Sequence, residues 1–93
     1  MAVSLAERTE ELRLERRLLH KAETDIKEGW KRLRSQQGLL SSLQAGGHDT
    51  RQAERLAVLL EQTLLQWEHH RSLIEQRIAY LENELRRVPV RET

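Results

Sequence analysis

The chain contains no cysteine, no phenylalanine and a single proline in 93 residues. Without thiols there can be no disulfide framework and no thiolate metal site. Aromatic residues make up only 3% of the chain against 33% charged, and this composition suits exposed helix far better than a β-sandwich or barrel. An excess of one charge sign is also missing. Sixteen Lys+Arg against fifteen Asp+Glu leave +1, so no overall field draws the chain toward nucleic acid or an anionic membrane. The longest apolar run, residues 56–60, is far short of the roughly 20 residues that span a bilayer. Residues 1–12 are studded with Glu and Arg and lack the apolar core of a secretory signal. The expectation is a chain with no membrane partner.

What the chain does have is helix punctuation. Gly46-Gly47 accepts the left-handed conformation that stops a helix. Asp49-Thr50-Arg51-Gln52 then offers a cap acceptor followed by Gln three residues on, and Ser4-Leu5-Ala6-Glu7 gives the same start signal earlier. Pro89 follows Arg86 and Arg87, which suit the negative end of a helix dipole. The signals predict one domain over 1–93: helix 1 at about 4–45, a turn at 46–48, helix 2 at about 49–87 and a short tail at 88–93.

The dominant pattern is a seven-residue repeat. Leu5, Leu12, Leu19, Ile26, Leu33 and Leu40 follow it in helix 1; Ala53, Leu60, Trp67, Ile74, Leu81 and Val88 follow it in helix 2. A second helix 2 series runs through Ala57, Leu64, Arg71, Ile78 and Leu85. Such spacing keeps one seam turned to a partner helix, and a short hinge makes that partner antiparallel. The fold class is therefore all-α, a coiled-coil-like antiparallel hairpin. Folded about the glycines, Leu33 meets Leu64 and Leu12 meets Leu85, with position numbers summing to 97. Alternate layers, summing to 96, place Gly29 opposite Trp67 and Ala22 opposite Ile74. Glycine inside a helix costs about 1 kcal/mol against alanine; here the missing side chain makes room for an indole. Ile26 falls opposite Arg71, with Asp25 as its expected ion partner, so Gly29, Asp25 and Arg71 are assigned to setting register. Glu61, Glu68, Glu75 and Glu82 form an acidic stripe on the side of the seam that also carries Arg13, His20, Lys27 and Arg34. These stripes disfavour slipped pairings.

Other apolar residues lie off the seam: Leu14, Leu18, Trp30 and Leu39 on helix 1, and Leu56, Leu59, Leu73 and Tyr80 on helix 2. Together with Trp67 they are the expected interface and packing residues. A lone hairpin has too much surface for its volume. A two-fold homodimer closing into a four-helix bundle would bury this second stripe; a foreign protein partner is the other way to cover it.

Reactive constellations are scarce. His69 and His70 are adjacent and point about 100° apart on a helix, and no His-x3-His or Glu-x-x-His supplies a zinc or di-iron ligand set. The serines show no nucleophile elbow, and Gly46-Gly47 lacks the strand and lysine of a phosphate loop. No catalytic residue, metal or cofactor is assigned. The alternative from another class is nucleic-acid binding by Arg13, Arg16, Arg17, Lys21, Lys27, Lys31, Arg32 and Arg34. Interleaved Glu7, Glu10, Glu11, Glu15, Glu23 and Glu28 oppose phosphate, so any such binding would be weak and salt-sensitive.

The segment Asp25-Ile26-Lys27-Glu28-Gly29, with Arg32, Gln36 and Leu43, then Gly47-His48-Asp49-Thr50, Ala53, Leu60, Leu64 and His70-Arg71, resembles a group of short proteobacterial proteins. Their shared pattern is Ile-x-x-Gly, a Gly-x-Asp-Thr turn and a later His-Arg pair, matched here over about residues 23–78. Trp67 departs from the smaller or polar residue of that pattern. The resemblance implies a bacterial cytoplasmic origin and carries no activity. The reading as a whole is a non-enzymatic interaction or assembly module.

Overall fold

A computed structural model describes residues 4–87. The chain forms two helices, α1 (Leu5–Ala45) and α2 (Arg51–Arg87), packed antiparallel along their lengths. Val88 and the predicted tail at 88–93 lie outside the described residues.

Local chemistry fixes the helix ends. Ser4 caps α1, its hydroxyl oxygen accepting the Glu7 N–H at 3.1 Å. At the other end the His48 N–H donates to the Leu43 carbonyl at 2.9 Å and the Gly47 N–H to the Gln44 carbonyl at 3.1 Å. That pair of bonds is the Schellman motif. It requires Gly47 at a φ of 71°, which a side chain would make costly. The predicted turn is therefore in place, but α2 starts later than expected. Asp49 accepts the N–H of Arg51, two residues on, at 3.1 Å, and the Thr50 carbonyl accepts the first helical bond, from Glu54, at 2.8 Å. Asp49 thus closes a local turn and Thr50 occupies the cap position, moving the start from 49 to Arg51. The Arg51 guanidinium beside Asp49, and then the Arg51 N–H, hold the carboxyl below the usual carboxylate range.

Among the described residues every buried one belongs to the seven-residue seam: Leu12, Ile26, Gly29 and Leu33 on α1, with Ala53, Ala57, Leu64, Ile74, Ile78 and Leu81 on α2. Leu5, the first member of its series, is exposed; the layer it would meet falls beyond Arg87. The core forms two apolar clusters. Leu12, Ile74, Ile78 and Leu81 make one, flanked by Leu19, Ala22 and Leu85. Leu33, Ala57 and Leu64 make the other, flanked by Leu60 and Trp67. Between them along α2 lies Arg71.

Gly29 accounts for the tightest approach. A Cβ built there would sit 3.2 Å from Trp67 Cζ3 and 2.5 Å from Leu64 Cδ2. The expected indole is beside it, but Leu64, predicted to meet Leu33, is closer, and Leu12 clusters with Leu81 while Leu85 only flanks it. Position numbers of packed residues thus sum to about 93, one helical turn from the predicted 96–97 register. Seven residues toward the tip, the Gln36 side-chain amide donates to the Ala53 carbonyl of the opposite helix at 3.2 Å. This bond ties the register at a position where sequence pairing suggests only a contact with Leu60.

The predicted Asp25–Arg71 ion pair is replaced by other pairings. Asp25 accepts from Lys21 on its own helix at 2.8 Å. Arg71 has only Glu75, at 3.9 Å, and its buried Nε has no hydrogen-bond partner. One helical turn separates each of these partners along its own helix, so both pairs form without reaching across the seam. Arg71 breaks the apolar seam between the two clusters and leaves a donor unsatisfied.

Candidate interaction surface

The hairpin has no deep interior: across the rod its Cα extents are 19 × 14 Å. Beside the seam the rod presents two flanks. Cross-helix bonds tell these flanks apart.

On the first flank, Arg16 donates to Glu82 at 2.9 Å and the Trp30 indole N–H to Glu68 at 3.3 Å. Both acceptors belong to the predicted acidic stripe. Arg13, His20, Lys27 and Arg34 lie farther from the seam on this side; Arg13 pairs with Glu10 on its own helix. The residues that reach across are thus Arg16 and Trp30, because they sit one helical position nearer the seam than the basic stripe. Trp30 shares a shallow groove here with Gln37, Glu61 and Leu65.

On the second flank, Arg77 donates to Glu11 at 3.4 Å, and the Arg8 and Arg77 guanidinium carbons each lie 5.8 Å from the centre of the Tyr80 ring. Arginine over an aromatic face is a favourable arrangement. Leu39 and Leu56 meet in a groove near the tip, together with Leu59. Leu18 and Leu39 occupy one seven-residue series on this flank, with Asp25 and Arg32 between them; Leu14, Leu73 and Tyr80 border it.

The expected single stripe therefore resolves into two unequal parts. Leu14, Leu18, Leu39, Leu56, Leu59, Leu73 and Tyr80 share the second flank, each between 46% and 58% exposed. Trp30 is on the other flank, because its repeat position matches that of the acidic stripe rather than that of Leu39. Trp67 is half-buried against the core. Exposed Val58 and Leu65 were missed by sequence reasoning, although their apolar identity was a visible signal.

The second flank is not uniformly apolar. Leu14, Leu18, Leu73 and Tyr80 gather toward the open end, and Leu39, Leu56 and Leu59 toward the tip. Lys21, Asp25, Glu28, Arg32 and His70 form a polar waist. Beside this waist a small pocket of about 110 Å³ is lined by Ala22, Asp25, Trp67 and His70.

Among the described residues no three His, Asp or Glu side chains converge to hold a metal ion, and no helix is long and apolar enough to cross a membrane. No family model, curated protein or solved structure matches the chain.

Proposed function

We propose that the protein is a non-enzymatic assembly module whose hairpins self-associate through the second flank into a four-helix bundle. The carrying observation is that seven large apolar side chains stand about half exposed on one flank. Completing the burial of each is worth on the order of 1 kcal/mol. The chain exposes 7493 Å², against about 5,600 Å² for a compact monomer of about 11 kDa. A two-fold partner reduces both excesses together and uses the same patch on each copy.

The test is light scattering over a range of concentrations. A species near twice the chain mass of 11.0 kDa is expected. Leu39→Glu should abolish it, whereas Leu65→Glu, on the opposite flank, should leave it intact. A concentration-independent species of one chain mass would overturn the proposal. Nucleic-acid binding is less well supported by the surface: Arg13, Lys27 and Arg34 share their flank with Glu61, Glu68, Glu75 and Glu82. A gel shift with mixed RNA and duplex DNA at low salt is expected to show no complex.

A further inference from the structure

The order of residues along the second flank bears on how two copies meet. Leu18, Asp25, Arg32 and Leu39 follow one another at seven-residue intervals and point the same way. The series reads apolar, acidic, basic, apolar. Read backwards against itself, it is self-complementary. With position numbers summing to 57, Leu18 meets Leu39, Asp25 meets Arg32, and both contacts recur on the other side of the two-fold.

We infer that the second copy lies antiparallel to the first, α1 upon α1, with a two-fold axis crossing the rod between Glu28 and Gly29. This inference rests on the self-association proposed above. The same axis serves α2, since Gly29 lies level with Leu64: it brings Leu56 of one copy onto Leu73 of the other, so the tip patch covers the open-end patch on both helices. Asp25 and Arg32 are available for this role. Asp25 has half-buried surroundings and a single ion partner on its own helix, Lys21, and Arg32 is exposed with no ion pair among the described residues. The one like-charged meeting is Glu28 with its own counterpart, and Lys31, 3.3 Å from Glu28 within each copy, offsets it. An axis running along the rod would also stack apolar ends, but it sets Lys21 against Leu73 and Arg32 against Thr63. The antiparallel arrangement instead sets Asp25 against Arg32 twice, opposite charge upon opposite charge.

Cysteine-free sequence makes the test direct, because introduced thiols are the only ones present. Under mild oxidation, a mixture of Leu18→Cys and Leu39→Cys chains should give a mixed disulfide dimer. Neither variant alone should cross-link, since identical positions lie about 32 Å apart along the bundle at ~1.5 Å per residue. Charge reversal gives an independent readout. Asp25→Arg alone and Arg32→Asp alone should each self-associate about tenfold more weakly or worse, as two attractive pairs become repulsive. An equimolar mixture of the two should recover unmodified affinity as a heterodimer, and helical circular dichroism checks that each variant remains folded. If the unmodified chain dimerises but the mixtures neither cross-link nor recover, the antiparallel register is wrong and self-association stands. If the unmodified chain is monomeric at every concentration, both fall.

Discussion

Gly29 and Gly38 make a matched experiment within α1. Both are interior helical positions, where glycine-to-alanine exchange is worth about 1 kcal/mol of stability. At Gly38 an added Cβ meets nothing within 4 Å, so Gly38→Ala should stabilise the hairpin by about that amount. At Gly29 the same methyl would lie 2.5 Å from Leu64 Cδ2 and 3.2 Å from Trp67 Cζ3. Leu64 is only 2% exposed and packs in a core cluster, so its end cannot swing into open space. Overpacking of this kind costs about 1–3 kcal/mol, which offsets or exceeds the propensity gain. The expected outcome is a loss of about 0–2 kcal/mol for Gly29→Ala, and a gap of about 1–3 kcal/mol between the two variants. Urea and thermal unfolding followed at 222 nm would measure it, with chain concentration held constant because association shifts apparent stability. In a chain of this size 1 kcal/mol moves the midpoint by about 4–8 °C. Adding Leu64→Val, which lacks the offending methyl, should recover part of the loss and reveal coupling between the sites. Equal stabilisation by Gly29→Ala and Gly38→Ala would refute the close approach of the helices there, and with it the register.

Two further outcomes follow from the polar groups. Arg71→Met should stabilise the fold by about 1 kcal/mol, read as a higher urea midpoint, because it removes a buried Nε that lacks a hydrogen-bond partner and joins the two apolar clusters; a lowered midpoint would mean that the guanidinium contributes more than it costs. Asp49 has a carboxyl held low by Arg51, so its contribution is present above the ordinary carboxylate value and is lost as pH falls through the lowered one. The start of α2 should therefore loosen only on strong acidification. Nuclear magnetic resonance titration should give Asp49 a midpoint below the ordinary carboxylate value, and Arg51→Ala should bring it part of the way back, since the backbone N–H bond remains.

The seam was legible in the sequence because seven-residue spacing leaves buried positions little choice. Leu12, Ile26, Leu33, Leu64, Ile78 and Leu81 are all buried in the structure; the pairing rule itself is off by one helical turn, because Gly29 lies closest to Leu64 and touches Trp67 only beside it. The Gly46-Gly47 stop was equally readable, since one residue past the helix must take a positive φ. Legibility fails where long side chains choose among several partners. Asp25 has Lys21 within reach on its own helix, and the exposed pairs at stake are worth under about 1 kcal/mol each, too little for spacing to decide among them. The side of the seam on which Trp30 lies was not read, because hydrophobicity alone does not reveal angle around the helix, whereas its shared repeat position with Arg16 does. The Gln36 bond to the Ala53 carbonyl was hidden because its acceptor is backbone, which no residue pattern displays.

The tight turn at Gly46 and Gly47 puts Leu5 and Arg87 at the same end of the molecule. Contacts beside the turn join residues close in sequence, and those at the far end join residues separated by most of the chain. Closing a short loop loses less entropy than closing a long one, so the layers zip outward from the turn, and Leu12 closes against Ile78 and Leu81 last. The same connectivity governs how the rod yields to force. A pull applied at its two ends acts across the helices and peels them apart layer by layer, whereas tension between the turn and the open end must slide whole seams past one another.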